Sequence, residues 1–333
     1  MELPTLLTSD LHLTDNPADD YRWKLFDFLA DRCQAEGVKT LGILGDLTDA
    51  KDYHPSRLTN RIVEQIVRMR ALVDEVIILE GNHDYLRKGH AYFEFLNHLP
   101  GIRFIVKPYE DLTGSKAGLW LPHTKTPMQD WKDWDFTHYN YVFMHQTAPG
   151  SIASNGQAMD GDALPDFGES KIYSGDIHVP QVIGSIENVG SPYHVHHGDN
   201  FHPRCVLLDR RGRAVDLHFD SIRRLSVKVR SLEELRRMDI KRGDHLKLTF
   251  ELSQADKHSW AAIKRKAAEE MADHGVVLND LSLKVAGSTV PLSYAGDLKK
   301  SERMSDAEVL TRFVTNEDLG GDALDVGLAL LKG

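Results

Sequence analysis

Five short groups of acidic, imidazole and amide side chains recur in this sequence, each where an apolar run ends. They are Asp10-Leu11-His12, Gly45-Asp46-Leu47-Thr48-Asp49, Gly81-Asn82-His83-Asp84, Met144-His145-Gln146 and Gly175-Asp176-Ile177-His178. Imidazole, carboxylate and carboxamide together suit Mn, Fe or Zn better than an all-oxygen Mg or Ca cage does, although donor type alone does not choose among them. Two such ions about 3.5–4 Å apart clamp the attacking and leaving oxygens of an in-line phosphoryl displacement, provided one anionic ligand bridges them. Asp46 is the natural bridge. A hydroxide shared by the two ions, its pKa lowered toward neutrality, would be the nucleophile.

The runs 3–8, 40–44, 76–79, 141–144 and 172–174, which must hold these groups, are short, apolar and rich in β-branched or aromatic residues. That is the pattern of buried strands. Loops at the carboxyl ends of such strands converge on ligands from a rigid sheet, so the five groups can meet at one rim. Between the early strands the spacing predicts a helix over 21–36, with Leu25, Phe28 and Leu29 on one face and Gly37 as C-cap. A second helix is predicted over 56–74, with Ser56 as N-cap and Ile62, Ile66 and Met69 inward. Further strands at 103–106, 118–121, 205–208 and 214–219 complete an α/β fold of two packed sheets flanked by helices. A boundary falls near Ser221, giving a first domain of 1–222. Strands at 225–229, 245–251 and 281–285 alternate with helices at 231–238 and 256–274, so residues 223–290 form a small α+β module. In the remainder, 291–333, short helices at 306–313 and 322–331 form a helical tail that needs a partner surface, being too short to hold alone.

The ordered set D-x-H, GD-x-x-D, GNHD, H and G-x-x-H resembles the calcineurin-like metallophosphoesterase superfamily over residues 10–178. The resemblance implies a two-sheet sandwich with one metal on Asp10, His12, Asp46 and His178 and a second on Asp46, Asn82, His145 and Asp176. It also implies that His83 acts near the leaving oxygen as acid or transition-state stabiliser, with the Asp49 carboxylate orienting its ring. One position departs: the superfamily usually has histidine where Asp176 stands. Aspartate ligates the same ions with a harder oxygen and an extra negative charge, which biases the second site toward Mn or Mg.

A narrower likeness follows the last ligand. Gly175-Asp176-Ile177-His178-Val179-Pro180-Gln181, then Asn188-Val189-Gly190-Ser191-Pro192-Tyr193, is similar to the G-H-x-H-x-P-Q and P-G-S-P signature of SbcD-type DNA double-strand-break repair nucleases; His54-Pro55-Ser56 adds to it. That likeness implies a DNA exonuclease and endonuclease of a recombination and repair complex, bacterial or phage-encoded. It implies Mn as the metal, with Mg, Fe or Zn as the other candidates, a homodimer formed through the early helices, and an SbcC-type ATPase partner. Residues 223–290 would then cap the DNA, and 291–333 would grip the ATPase. The alternative on the same fold is a small-molecule phosphodiesterase or phosphatase; a non-enzyme alternative is a scaffold that lost a metal with the altered G-D-I-H motif.

Composition sets the bounds. The chain has 333 residues, 41% of them hydrophobic, enough for a sizeable core and more than one domain. Neither an N-terminal apolar leader nor a membrane-length apolar stretch occurs, and Cys33 and Cys205 are too few for a disulfide framework, so a cytoplasmic protein with core-packing cysteines is expected. The net charge of −10 is unevenly spread: 21 Lys/Arg against 32 Asp/Glu in 1–222, 14 against 10 in 223–290, and 5 against 8 in 291–333. Only the middle segment is basic, and Lys257, Lys264 and Lys266 on its long helix are candidates for backbone phosphates. The crowd of His194, His196, His197 and His202 is expected to lie in a loop rather than form another metal site. His54 is a candidate for substrate contact, Tyr85 and Arg87 for lining the active-site mouth, with Tyr85 covering the core as the alternative, and Trp131 and Trp134 for base stacking or loop anchoring.

Overall fold

A computed structural model of the chain describes residues 1–285. The strands are β1 (Thr5–Thr8), β2 (Thr40–Ile43), β3 (Glu75–Leu79), β4 (Ile102–Ile105), β5 (Tyr109–Asp111), β6 (Gly118–Leu121), β7 (Tyr141–His145) and β8 (Lys171–Gly175). They continue with β9 (Gln181–Ile183), β10 (Ile186–Asn188), β11 (Cys205–Leu208), β12 (Ala214–Leu217), β13 (Arg224–Val229), β14 (His245–Leu252) and β15 (Val277–Val285). The α-helices are α1 (Leu25–Glu36), α2 (Ser56–Arg70), α3 (Pro127–Asp130), α4 (Leu232–Leu235) and α5 (Trp260–Asp273).

Two six-stranded sheets carry the centre, ordered β12-β11-β1-β2-β3-β4 and β5-β6-β7-β8-β10-β9. Strands β1 to β4 run parallel, as do β6, β7, β8 and β10, while the remaining strands are antiparallel edges or closures. Because both faces of each central strand are covered, alternate residues serve different cores. Leu6, Leu41, Ile43, Val76 and Ile78 pack on α1 and α2 through Phe26, Leu29, Ile62 and Ile66. Leu7, Ile77, Leu79 and Val206 point the other way, onto Trp120, Phe143 and Tyr173 of the second sheet. The outer face of that sheet is sealed by Trp131, Phe136 and Phe167. Each such fully buried side chain contributes about 1.5–3 kcal/mol. The two-sheet sandwich flanked by helices is the α/β architecture the sequence predicts.

Gly42 shows how tightly the sheets meet: a Cβ there would lie 2.8 Å from Leu7 Cδ2 and from the Trp120 ring. Only glycine lets the two layers close at that point.

Several boundaries differ from the sequence reading. Residues 17–24 wind as a 3-10 helix before α1 begins, with the Asn16 side chain accepting from the Ala18 N–H and Pro17 at the first turn. The tighter winding eclipses residues three apart, which sets the Asp19 carboxylate 3.4 Å from the Arg22 guanidinium. Gly37 closes α1 in the left-handed region as expected, its N–H donating to Cys33 O. Ser56, expected as N-cap, is instead the first helical residue of α2 behind Pro55. Cys33 and Cys205 are both free and buried, and burial pushes both thiols up to about 12.

Residues 224–285 add a third sheet, β13-β14-β15, all parallel, with α5 on one face. Val227, Val229, Leu246, Leu248, Phe250, Leu252, Ala267 and Met271 form its own apolar core. The alternate positions Ser226, Lys228 and Lys247 are exposed on the opposite face. The predicted strand at 281–285 starts earlier, at Val277, and its pairing with β14 shifts by one residue at a bulge, Leu246 pairing with Leu278 and Lys247 with Asp280. Among the described residues, no helix is long and apolar enough to cross a membrane. The tail helices expected at 306–313 and 322–331, with the partner-binding role given to 291–333, lie outside the described residues.

Candidate metal centre

The parallel strands of both sheets end at one rim, and the chemistry-bearing loops start there. Asp10 and His12 follow β1, Asp46 and Asp49 follow β2, and Asn82, His83 and Asp84 follow β3; His145 ends β7, while Asp176 and His178 follow β8. Among the described residues, four non-glycine residues have positive φ: Asp10 (54°), His12 (41°), Asp46 (53°) and Asp176 (80°). All four are predicted ligands. Backbone strain of this kind costs on the order of 1–3 kcal/mol per residue and persists only where the surroundings enforce it. Here the loops enforce it on each other, since Asp10 N–H donates to Gly45 O at 3.1 Å and His12 N–H donates to Asp46 O at 2.9 Å.

The donor atoms converge. Asp10, His12 and His178 each place one within 4.8 Å of the others, as do His12, Asp46 and His83, and Asp10, Asp46 and His145. Asp46 belongs to two of these groups and stands between them, with Oδ2 3.5 Å from His12 Nε2 and Oδ1 3.4 Å from His145 Nε2. His145 Nδ1–H donates to Leu44 O at 2.5 Å, which turns the bare Nε2 inward. His12 and His178 bring their Nε2 atoms to 3.0 Å. Two lone pairs sustain that separation only with a proton or a cation between them.

Electrostatics point the same way. Burial raises Asp10 to about 8 and pushes Asp46 well above the usual carboxylate range, the nearby Asp84 charge adding to the second. Burial lowers His12 to about 4 and His178 to about 3, the His12 ring adding to the latter. Both oxygens of Asp10, Asn82 Oδ1 and His145 Nε2 are buried without a hydrogen-bond partner. Buried polar atoms are otherwise almost always paired, and unsatisfied carboxylate oxygens beside neutral imidazoles are the donor set of a divalent cation. The residues therefore fit a metal centre. Nothing in the geometry fixes which ion it takes.

Asp176 stands slightly outside the tightest groups, 3.6 Å from His145 Nε2. Its Oδ1 accepts from Asn82 Nδ2 at 2.8 Å, and its Oδ2 accepts from the Thr147 hydroxyl. Asn82 thus joins the centre through Asp176, its own Oδ1 remaining free.

His83 is half-buried at the open side, its ring centroid 4.9 Å from that of His12. The predicted carboxylate contact is not the one formed. His83 Nδ1–H donates to the main-chain carbonyl of Asp49 at 2.9 Å, and the Asp49 carboxylate lies 3.4 Å from His12 Nδ1. That contact to His12 holds Asp49 down at about 2.

Three supports escaped the sequence reading. Asp84, quoted only as the last letter of GNHD, is buried and accepts from the N–H groups of Gly81 (2.8 Å), Asp46 (2.9 Å) and Leu47 (3.0 Å), locking two metal loops together. Arg22, hidden in a helical stretch without any motif, donates to the His12 carbonyl. The Gly190–Tyr193 piece, noticed only as a likeness, braces the first loop: Ser191 hydroxyl donates to Asp10 O at 3.1 Å and the Tyr193 hydroxyl donates to Leu11 O.

Of the other histidines, His54 is buried against Tyr92 and Phe93 and bonds Thr48 Oγ1 at 2.8 Å, so it belongs to the wall. His194 is likewise internal, bonding Phe201 O and the Arg224 N–H. His196 is exposed, with its ring 5.3 Å from that of His178. Tyr85 bonds His123 Nδ1 at 2.9 Å, and the His123 ring lies 6.1 Å from His145. Trp131 is fully buried and Trp134 packs against the same core, which makes both loop anchors.

No curated protein matches the chain. Among solved structures, a nuclease, MPE, from Pseudomonas putida aligns at 15% identity and a TM-score of 0.30, covering 64% of this chain and 87% of that one. A protein of unknown function from Aquifex aeolicus aligns at 18% and 0.27, covering 43% and 80%. Scores this low carry no functional argument. The family comparison is decisive: residues 3–180, more than half of the chain, match the calcineurin-like phosphoesterase model. Divalent metals are the working cofactors of that family, and the chain, with its converging aspartates and histidines, belongs to it.

Proposed function

We propose that the protein is a metal-dependent DNA nuclease, an SbcD-type subunit that hydrolyses phosphodiesters at this centre. Asp10, His12, Asp46 and His178 would hold one ion, and Asp46, Asn82, His145 and Asp176 the other. Bound there, two divalent ions, Mn foremost, supply positive charge to the phosphoryl oxygens and lower the pKa of the attacking water. The protein's own residues do the rest. Asp84 fixes the spacing between the Asp46 and Gly81 loops, and Asp49 fixes His12 by its carboxylate and His83 by its carbonyl. His83 gives the proton from Nε2 to the leaving oxygen as the phosphorus–oxygen bond breaks.

The observation that favours DNA over a small ester is the neighbour of the centre. The loop carrying His196 on His178 is hydrogen-bonded to the third sheet: Gly198 N–H donates to Arg224 O at 2.9 Å, and His197 bonds Asn279 at 3.1 Å. The face of that sheet left free by α5 carries Lys228 and Lys247, cations that suit a phosphate backbone running on from the metals. Lys264 and Lys266 are exposed on α5, which covers the opposite, apolar face. We extend the proposal to a homodimer and an SbcC-type ATPase partner on the strength of the sequence signature alone.

The test is incubation of the full chain with Mn and either end-labelled linear duplex DNA or a chromogenic phosphodiester. Cleavage of the duplex supports the reading. Turnover of the chromogenic ester alone returns the protein to the small-molecule phosphodiesterases, and turnover of neither, with less than two metal equivalents bound, to a scaffold.

A further inference from the structure

We infer that Arg22, Asp19 and Arg224 form a positioning relay that ties the conformation of the His12 loop to the first strand of the third sheet. The inference rests on His12 being a metal ligand and is independent of which phosphoester is cleaved.

Arg22 is 3% exposed, and each of its nitrogens is engaged. Nη1 donates to the His12 carbonyl, Nη2 to Val195 O at 3.2 Å, Nε to the Tyr21 hydroxyl at 3.3 Å, and the Asp19 carboxylate lies 3.4 Å away. His12 is thus held from both sides, its N–H by Asp46 O and its carbonyl by Arg22, in a backbone conformation (φ 41°) that it would not adopt unaided. Asp19 is itself buried, and its Oδ2 accepts from Thr14 Oγ1 at 2.9 Å. Its Oδ1 is shared with Arg224, whose Nη1 lies 3.0 Å away and also donates to Val195 O at 2.9 Å. Arg224 opens β13 and pairs in register with His245 of β14.

Two arginines therefore meet on one carboxylate and on one carbonyl. One of them ends at a ligand loop and the other at the sheet proposed to meet DNA. Removing either cation from a buried carboxylate shared in this way leaves charge on it less compensated. A shift of β13 withdraws Arg224, leaves Asp19 and Val195 O to Arg22 alone, and draws Arg22 off the His12 carbonyl. Arg22 and Arg224 touch no reacting atom; their role is to set the aim of His12.

The experiment is calorimetric titration of the metal-stripped full chain with Mn for wild type, Arg224→Met, Asp19→Asn and the double variant, with circular dichroism as the folding control. Each single change is expected to weaken Mn binding roughly 10-fold, the scale seen when groups orienting metal ligands are removed. The double variant should be no weaker than the worse single, because the two changes cut the same relay. Unchanged affinity in Arg224→Met, or losses that multiply in the double variant, would overturn the relay. If Arg224→Met fails to fold, Arg224→Lys takes its place, since it keeps the charge but spans fewer acceptors; wild-type affinity in that variant also counts against the relay. A wild-type protein that binds no Mn points instead to failure of the metal-centre reading.

Discussion

The ring of His83 is oriented by the main-chain carbonyl of Asp49, while the carboxylate of Asp49 turns to His12. One residue thus serves two histidines by two different groups, and the separation can be tested. His83→Ala should lower turnover on a phosphodiester by roughly 10² or more, the scale of a positioned acid–base group, with metal content retained. Asp49→Asn keeps the carbonyl and should leave the His83 function in place while weakening metal binding through His12. Rates and metal content of the two variants, measured side by side, check this; a larger rate loss in Asp49→Asn at saturating metal would refute the division of labour.

Asp84 carries no proposed catalytic duty, yet its carboxylate is the acceptor for three buried N–H groups. Asp84→Ala strands all three, at about 1–3 kcal/mol for each donor left without a partner. The expected outcome is a loss on the order of 3 kcal/mol or more in urea unfolding of the metal-free protein, larger than for any single exposed substitution.

The raised carboxylates make the metal-free protein sensitive to alkali. Asp10, lifted from 3.8 to about 8, keeps a proton in the folded chain that the unfolded chain has already released, so its contribution to stability fades as pH climbs toward 8. His12 opposes this only below 6.5, where the unfolded ring gains a proton that the folded ring, lowered to about 4, refuses. Between pH 6.5 and 8 the carboxylate effect is alone. Thermal unfolding in chelator should give a Tm that falls across that window, and saturating Mn, which binds the ionised carboxylate, should remove the slope.

Asp176 stands where the resemblance leads one to expect histidine, and its oxygens are already held by Asn82 and Thr147. Asp176→His restores a nitrogen donor and removes a negative charge, so metal preference should move from Mn toward Zn. Competition binding of the two ions to wild type and variant measures the shift; an unchanged ratio would place Asp176 outside the metal's reach.

Much of this centre was legible because its chemistry is written in contiguous motifs. Strands at 3–8, 40–44, 76–79, 141–144 and 172–174 announce themselves as apolar runs, and a ligand candidate follows each run within three residues, because a parallel sheet delivers its loops to one end. What escaped is what acts across long sequence distances. Asp84 bonds residues nearly forty positions away and Arg22 meets Val195 and, through Asp19, Arg224; none of these pairings leaves a local spacing. The sequence also placed the cations of the module at 223–290 on its helix, where apolar periodicity is clear. In the fold that helix covers the apolar side of the sheet, and the free cationic face belongs to Lys228 and Lys247, set by strand alternation and by the register of β13 with β14.

The central claim is a pair of metal ions sharing the Asp46 carboxylate. Electron paramagnetic resonance of the protein loaded with two equivalents of Mn tests it most directly, since ions about 3.5–4 Å apart across a shared ligand couple their spins. The account predicts a coupled multiline spectrum in wild type that collapses to isolated Mn signals in Asp46→Ala. Isolated signals alone in the wild type, at full loading, would contradict it.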